Sequence, residues 1–242
     1  MNAPQKTPAS VRRKTLMMLG VAVLAARSKA QAATGNGAFQ RKPACVVTPE
    51  QIEGPYFLDK QLNRSDIRSD PSDGSVKPGV PLALSLRVSA IDGERCSPLR
   101  GAVVDVWHCD ASGIYSGVAD PTFDTTGKKF LRGYQVTDAE GIVRFLTIYP
   151  GWYPGRAVHI HFKVRAKSPK TGRNHELTSQ LYFDDAINQR VHSKPPYFRE
   201  GKQAQKNETD GIFRYSGRQL IANVAEEGGG FLATFDIGLR MD

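Results

Sequence analysis

From Pro81 onward, apolar and polar positions alternate in short runs. Leu82, Leu84, Leu86 and Val88 share one face of an extended chain, and Ala83, Ser85 and Arg87 share the other. That period of two predicts a half-buried strand. The valine-rich run 101–108 predicts another, and runs 130–136 and 142–148, flanking Asp138-Ala139-Glu140-Gly141, predict a hairpin. Further strands are predicted over 157–165, 177–183, 218–224 and 231–239. About eight short strands joined by Gly, Pro and Asp turns describe an all-β chain folded as a β-sandwich. No run has helical periodicity long enough to cover a sheet.

Two stretches break the pattern. Residues 33–80 are punctuated by Pro43, Pro49, Pro55, Pro71 and Pro78, and residues 188–217 hold Pro195-Pro196, Gly201, Gly211 and Gly217 among many charges. Irregular segments of that length in a domain are usually functional or disordered. Both are expected to wrap the sandwich and help form a pocket. The expected organisation is a leader over 1–32, an N-terminal wrapping segment over 33–80 and a sandwich over 81–242. A chain of 242 residues, 40% of them hydrophobic, suits one core.

The leader rests on order. Ser10-Val11-Arg12-Arg13-Lys14 precedes the apolar run Leu16–Ala26, and Ala30-Gln31-Ala32 follows, as in an export signal with a small-residue cleavage site. The apolar run is far shorter than the ~20 residues a membrane-spanning helix needs, so no permanent membrane anchor is expected. Arg12-Arg13 resembles a twin-arginine signal, with Thr15 where that pattern has Phe. Export to the periplasm or the medium is expected. Cleavage after Ala32 removes Lys6, Arg12, Arg13, Lys14, Arg27 and Lys29 and no acid, so the net charge of +9 falls by 6 to +3. No Lys/Arg stripe with interleaved aromatics remains, and a nucleic-acid partner is not expected.

Cys45, Cys96 and Cys109 enter an oxidising compartment, where one disulfide and one leftover thiol are expected. A predicted strand separates Cys96 from Cys109, and at ~3.3 Å per residue this carries them beyond bonding reach. A bridge involving Cys45 is favoured. No spacing suggests a zinc ribbon.

The candidate chemistry lies in Tyr149-Pro150-Gly151-Trp152-Tyr153-Pro154-Gly155-Arg156-Ala157-Val158-His159-Ile160-His161-Phe162. On a strand, His159 and His161 project together while Val158, Ile160, Phe162 and Val164 project to the apolar side. Two imidazoles converging on one point suit a metal. Val164 and Arg165 stand where a cupin pattern wants Glu, and Phe162 and Lys163 offer no carboxylate for a two-His-one-carboxylate ferrous site. A three-histidine zinc site recruiting His175 is a second reading, and an exported sandwich binding sugar or protein through its loops without metal is a third.

The same residues resemble the intradiol ring-cleavage dioxygenases. Pro150–Pro154 and Arg156–Phe162 look like the segments carrying that family's second iron-binding tyrosine and its His-x-His pair, and Val103–His108 through Gly113-Ile114-Tyr115-Ser116 looks like the segment carrying the first tyrosine. Ser179–Phe183 and, more faintly, Thr48–Gln51 with Gly54-Pro55-Tyr56 continue the likeness, which covers about residues 46–184. The resemblance implies a β-sandwich and a non-haem Fe(III) ion, Fe(3+), held by Tyr115, Tyr153, His159 and His161. Phenolates are hard, anionic donors that favour Fe(III) over Fe(II).

It further implies that Tyr153 leaves the metal when substrate arrives and accepts a substrate proton. Arg156 stabilises charge on the ring as O2 adds, Gln180 supplies a supporting hydrogen bond, and Gly54 and Pro55 pack against the substrate edge. The implied reaction inserts both atoms of O2 into a catechol-type molecule to give a cis,cis-muconate-type diacid. A homo-oligomer is left open. Two departures bear on substrate: only Pro154 and Gly155 separate Tyr153 from Arg156, where the best-known members of that family carry a longer loop, and Ile52 replaces an expected Thr.

Overall fold

The computed structural model describes Met1 and residues 46–241, except Pro169, Gly201 and Gln203. The chain divides into the units Met1–Gly35 and Asn36–Asp242. The leader beyond Met1, and Cys45, lie outside the described residues. In the second unit the strands are β1 (Pro81–Asp92), β2 (Arg95–Pro98), β3 (Val103–Trp107), β4 (Ala119–Asp120), β5 (Phe123–Asp124), β6 (Arg132–Val136), β7 (Ile142–Ile148), β8 (His159–Lys167), β9 (Asn174–Tyr182), β10 (Asn223–Glu227) and β11 (Gly230–Arg240). Two short helices, α1 (Asp185–His192) and α2 (Gly211–Ser216), fall between β9 and β10.

One sheet runs β10-β11-β1-β2, with β7 also paired to β1. The other runs β6-β3-β8-β9 and is antiparallel throughout. The alternation in β1 places Leu82, Leu84, Leu86 and Val88 against Val104, Val106, Ile160, Phe162 and Val164 of the opposing sheet in one buried cluster. Burying each such side chain contributes roughly 1.5–3 kcal/mol, which holds the sheets face to face.

The other face of the second sheet reads as polar, yet much of it is buried under the N-terminal segment. Gln51 N–H donates to Thr178 O at 3.0 Å, and Arg64 N–H to Tyr134 O at 3.2 Å. The charges of β8 meet partners: Lys163 pairs with Glu53 and Glu176, and Arg165 with Asp59 (2.9 Å) and Asp105 (2.6 Å). Residues 46–66 thus form a lid of loop over the sheet face that bears the histidines.

Four expectations change. The runs 130–136 and 142–148 are not a hairpin: β6 pairs with β3 and β7 with β1, so Asp138–Gly141 carries the chain from one sheet to the other. Alternation reports a buried face but not the partner strand. The strand predicted over 218–224 is instead a 3₁₀ turn, Gly217–Leu220, followed by β10. The 188–217 stretch contains α2 and most of α1, each capped by a preceding aspartate: Asp184 accepts from Ala186 N, and Asp210 from Ile212 N and Phe213 N. The short strands β2, β4 and β5 were too brief to show periodicity. Cys96 is disulfide-bonded and Cys109 is free and buried, so the other half of the bridge lies outside the described residues. Among the described residues no helix is long and apolar enough to cross a membrane.

Candidate active site

Strand β8 aims His159 and His161 away from the core, and both are buried beneath the N-terminal segment. His159 donates Nδ1–H to the Ala157 carbonyl at 2.6 Å, which leaves Nε2 as a lone-pair donor. His161 is held differently. Its ring stacks on Trp107, the residue opposite it on β3, with centroids 4.9 Å apart and planes 8° apart. The position of a Cβ on Gly54 lies 3.5 Å from His161 Cε1, so the loop backbone rests against the imidazole. The two Nε2 atoms face each other at 3.1 Å. Burial, with Arg156 nearby, pushes the His159 pKa down to about 3, and burial pushes His161 well below the usual histidine range. Both rings are therefore neutral near pH 7 and available as ligands.

The tyrosines arrive on two loops. Asp110 folds the first by accepting from Ser112 N and Ile114 N at 2.9 and 3.1 Å, and Lys77 anchors its carboxylate at 2.8 Å. The second is the 149–155 turn, tied down by His192, whose Nε2 lies 3.0 Å from Pro150 O. The loops meet backbone to backbone. A Cβ on Gly113 would stand 2.2 Å from Trp152 O, and one on Gly151 would stand 2.1 Å from Asp110 O. Only glycine permits that approach.

It brings Tyr115 Oη to 3.4 Å and Tyr153 Oη to 3.3 Å from His159 Nε2. Tyr115 is fully buried with Tyr56 stacked on its face, centroids 4.5 Å apart, while Tyr153 is half-buried. Tyr149, the neighbouring alternative to Tyr153, points elsewhere and donates to Asn188 Oδ1 at 2.7 Å.

Three donor atoms thus lie 3.1–3.4 Å from His159 Nε2. Ligands about 2.1 Å from a common centre at tetrahedral or octahedral angles are separated by roughly 3.0–3.4 Å, so the three atoms stand from His159 Nε2 as a metal's ligands do from one another. Among the described residues no group of three or more His, Cys, Asp or Glu could hold a metal; a metal here depends on the phenols. Burial raises the Tyr153 pKa to about 12 and that of Tyr115 well above the usual phenol range. Deprotonating both therefore calls for a strongly polarising cation, whose charge inverts that preference.

His175 is no partner to this set. It lies opposite Ala166, whereas Gln180 lies opposite His161, so five positions of β9 separate it from the site. That is about 16 Å, and an odd count puts it on the other face. The three-histidine zinc reading fails on this geometry. His108 is also spoken for: Nδ1 meets Cys109 O at 2.8 Å and Nε2 meets Thr147 Oγ1 at 2.7 Å, inside the core.

Beside the quartet Arg156 is held by a network. Nε donates to Asp210 Oδ2 at 2.9 Å and Nη2 to Gln180 Oε1 at 2.5 Å. Gln180 Nε2 donates to Ile52 O at 3.0 Å, and the Tyr182 hydroxyl lies 2.9 Å from Gln51 Oε1. Gly54 sits against His161, whereas the Pro55 side chain is exposed on the adjoining turn. Sequence reasoning missed Tyr56, Tyr182 and Asp210. Tyr56 lay inside a noted motif, but Asp210 offered only a helix-cap signal 54 positions from Arg156.

Comparison with known proteins places this geometry among relatives. The family model described as Dioxygenase matches residues 52–191. The protocatechuate 3,4-dioxygenase beta chain of Burkholderia cepacia is 32% identical over 182 residues, covering 71% of each chain. The chlorocatechol 1,2-dioxygenase of Pseudomonas putida is 32% identical over 152 residues, and the aligned region spans about half of that protein (52%). Among solved structures, an intradiol ring-cleavage dioxygenase from Tetranychus urticae superposes with a TM-score of 0.70 at 34% identity, covering 81% of this chain and 95% of that one.

Proposed function

The chain belongs to the intradiol ring-cleavage dioxygenases, and from that premise we propose that it is a non-haem Fe(III) enzyme that opens catechol-type rings between their two hydroxyl-bearing carbons. Both atoms of O2 enter the product, a cis,cis-muconate-type diacid. The observation that carries this reading is the convergence of Tyr115 Oη, Tyr153 Oη and His161 Nε2 on His159 Nε2, each within one ligand's spacing of it. Tyr115, Tyr153, His159 and His161 would hold the ferric ion, which would supply Lewis acidity toward the catechol oxygens and make the ring reactive toward O2.

The chain's own residues do the rest. His159, locked by the Ala157 carbonyl, and His161, pressed between Trp107 and the Gly54 backbone, hold the metal side of the site rigid. Tyr115 is pinned by Tyr56 and stays. Tyr153 is more exposed, stands on a two-residue turn and meets Tyr115 edge-on at 5.8 Å, so it is the phenol free to swing out and take a proton from the substrate hydroxyl at Oη. Arg156, steadied by Gln180, presents a fixed cation to negative charge growing on the ring. Gly54 admits the ring edge by lacking a side chain, with Pro55 beside it.

We further propose export by residues 1–32 through the twin-arginine route, on the order of basic, apolar and small residues. The test of the enzymatic reading is metal analysis and oxygen uptake on the mature protein. One iron per chain, a visible phenolate-to-iron absorption altered in Tyr115→Phe and Tyr153→Phe, and O2 consumed with a catechol are expected. A colourless, fully zinc-loaded protein would refute it.

A further inference from the structure

Asp210 lies outside the segment matched by the family model, on the loop before α2, with its side chain 1% exposed. Its two carboxylate oxygens do different work. Oδ1 caps α2, accepting from Ile212 N at 2.7 Å and Phe213 N at 3.2 Å. Oδ2 turns the other way and accepts from Arg156 Nε at 2.9 Å and from Ala157 N at 2.8 Å. A cap alone needs one oxygen, and serine supplies it. The second oxygen grips the two residues that link the Tyr153 turn to the His159 strand.

On the reading above, what Arg156 contributes depends on where its charge points. With Nε on Asp210 and Nη2 on Gln180 and, at 3.4 Å, on the Tyr182 hydroxyl, the guanidinium is fixed at two of its three nitrogens beside the Tyr153 phenol. We propose that Asp210 is the positioning residue of this site: by holding Arg156 Nε and Ala157 N together it aims the remaining guanidinium edge at the reacting ring, and so makes the C-terminal loop part of the active centre. A guanidinium held only through Nη2, by Gln180 and Tyr182, can rotate about its last torsions, and a misplacement of ~1 Å in a catalytic group can cost about a hundredfold in rate.

The experiment is a double-mutant cycle on the iron-loaded mature enzyme, using Asp210→Ser and Arg156→Ala singly and together, with iron content, visible spectrum, melting temperature, kcat and KM measured for each. Asp210→Ser keeps the cap and removes the second oxygen. It is expected to retain iron and colour and to lower kcat about ten- to a hundredfold with KM nearly unchanged. In the Arg156→Ala background the same change should add less than about twofold, because the group it positions is gone. Should Asp210→Ser fail to fold, Asp210→Asn, which keeps cap and volume, decides in the same cycle. Equal losses in both backgrounds, no loss at all, or a loss that follows iron content overturn the role. A wild type that consumes no O2 with any catechol removes the ring-cleavage reading and this role with it; an active wild type with independent losses removes only the role of Asp210.

Discussion

The pairing of the two phenols depends on a contact that a single methyl group abolishes. Gly113 has φ +81°, and a Cβ there would stand 2.2 Å from Trp152 O and 3.1 Å from Arg199 Nη2. A carbon and a carbonyl oxygen normally approach no closer than about 3.3 Å, so Gly113→Ala must move the loops apart by about 1 Å. The left-handed backbone costs alanine roughly 1–2 kcal/mol. The displaced carbonyl is the acceptor of Arg199 Nη2 at 2.6 Å, and losing a hydrogen bond to a charged group costs about 1.5–3 kcal/mol. Stiffening the unfolded chain returns about 0.4–1 kcal/mol. The net is about 2–4 kcal/mol, or a melting point lowered by roughly 5–15 °C for a domain of this size.

The consequence for the site is larger than for the fold, because metal sites tolerate only about ±0.2 Å in ligand distance. Tyr115, two residues from Gly113, and Tyr153, one from Trp152, should no longer close on one ion. Gly127→Ala is the control: its φ is +83° with nothing within 4 Å of the added carbon, so only the strain remains, about 1 kcal/mol after the same offset. Thermal unfolding, iron analysis and the visible spectrum read both variants. If Gly113→Ala melts with Gly127→Ala and keeps full iron and colour, backbone contact is not what sets the phenol pair.

Acid should destabilise the fold before the carboxylates titrate. Burial holds His108 and His192 down to about 4 in the folded chain, so between about 6.5 and 4 the unfolded state binds protons the native state does not; stability is full above about pH 6.5 and falls toward pH 4. Denaturant unfolding should show that slope and His108→Gln should make it shallower, His192, His159 and His161 being held down as well, whereas a level profile across the window refutes the assignment. The short Tyr153–Arg156 connection and Ile52 should favour substituted, less polar catechols over protocatechuate; a protocatechuate preference of about tenfold in kcat/KM, or ~1.4 kcal/mol, contradicts this. Replacing Arg12 and Arg13 together by Lys should retain the precursor in the cytoplasm, and unchanged export would point to a general secretory signal.

Much of the site was legible in the sequence because strands are periodic. His159 and His161 had to share a face, Val158, Ile160, Phe162 and Val164 had to share the other, and the structure buries the second set between the sheets. The turn Pro150–Pro154 and the run ending in Tyr115 could be recognised as motifs, since each is contiguous. A period of two carries no information about which strand lies alongside, which is why β6 and β7 were expected to pair and instead belong to different sheets.

What only tertiary structure decided are the contacts between residues distant along the chain. That the polar face of β8 is buried follows from Glu53 and Asp59 crossing it, a matter of where a loop lies. That Tyr115 meets Tyr153 follows from two glycines allowing two backbones to touch. That Arg156 is fixed follows from Asp210, 54 residues away, which local propensity marks only as a helix cap. Local pattern determines the direction in which a side chain leaves its strand, because that is a property of the backbone. It does not determine what the side chain meets, because a long-range contact depends on how the whole chain closes on its core.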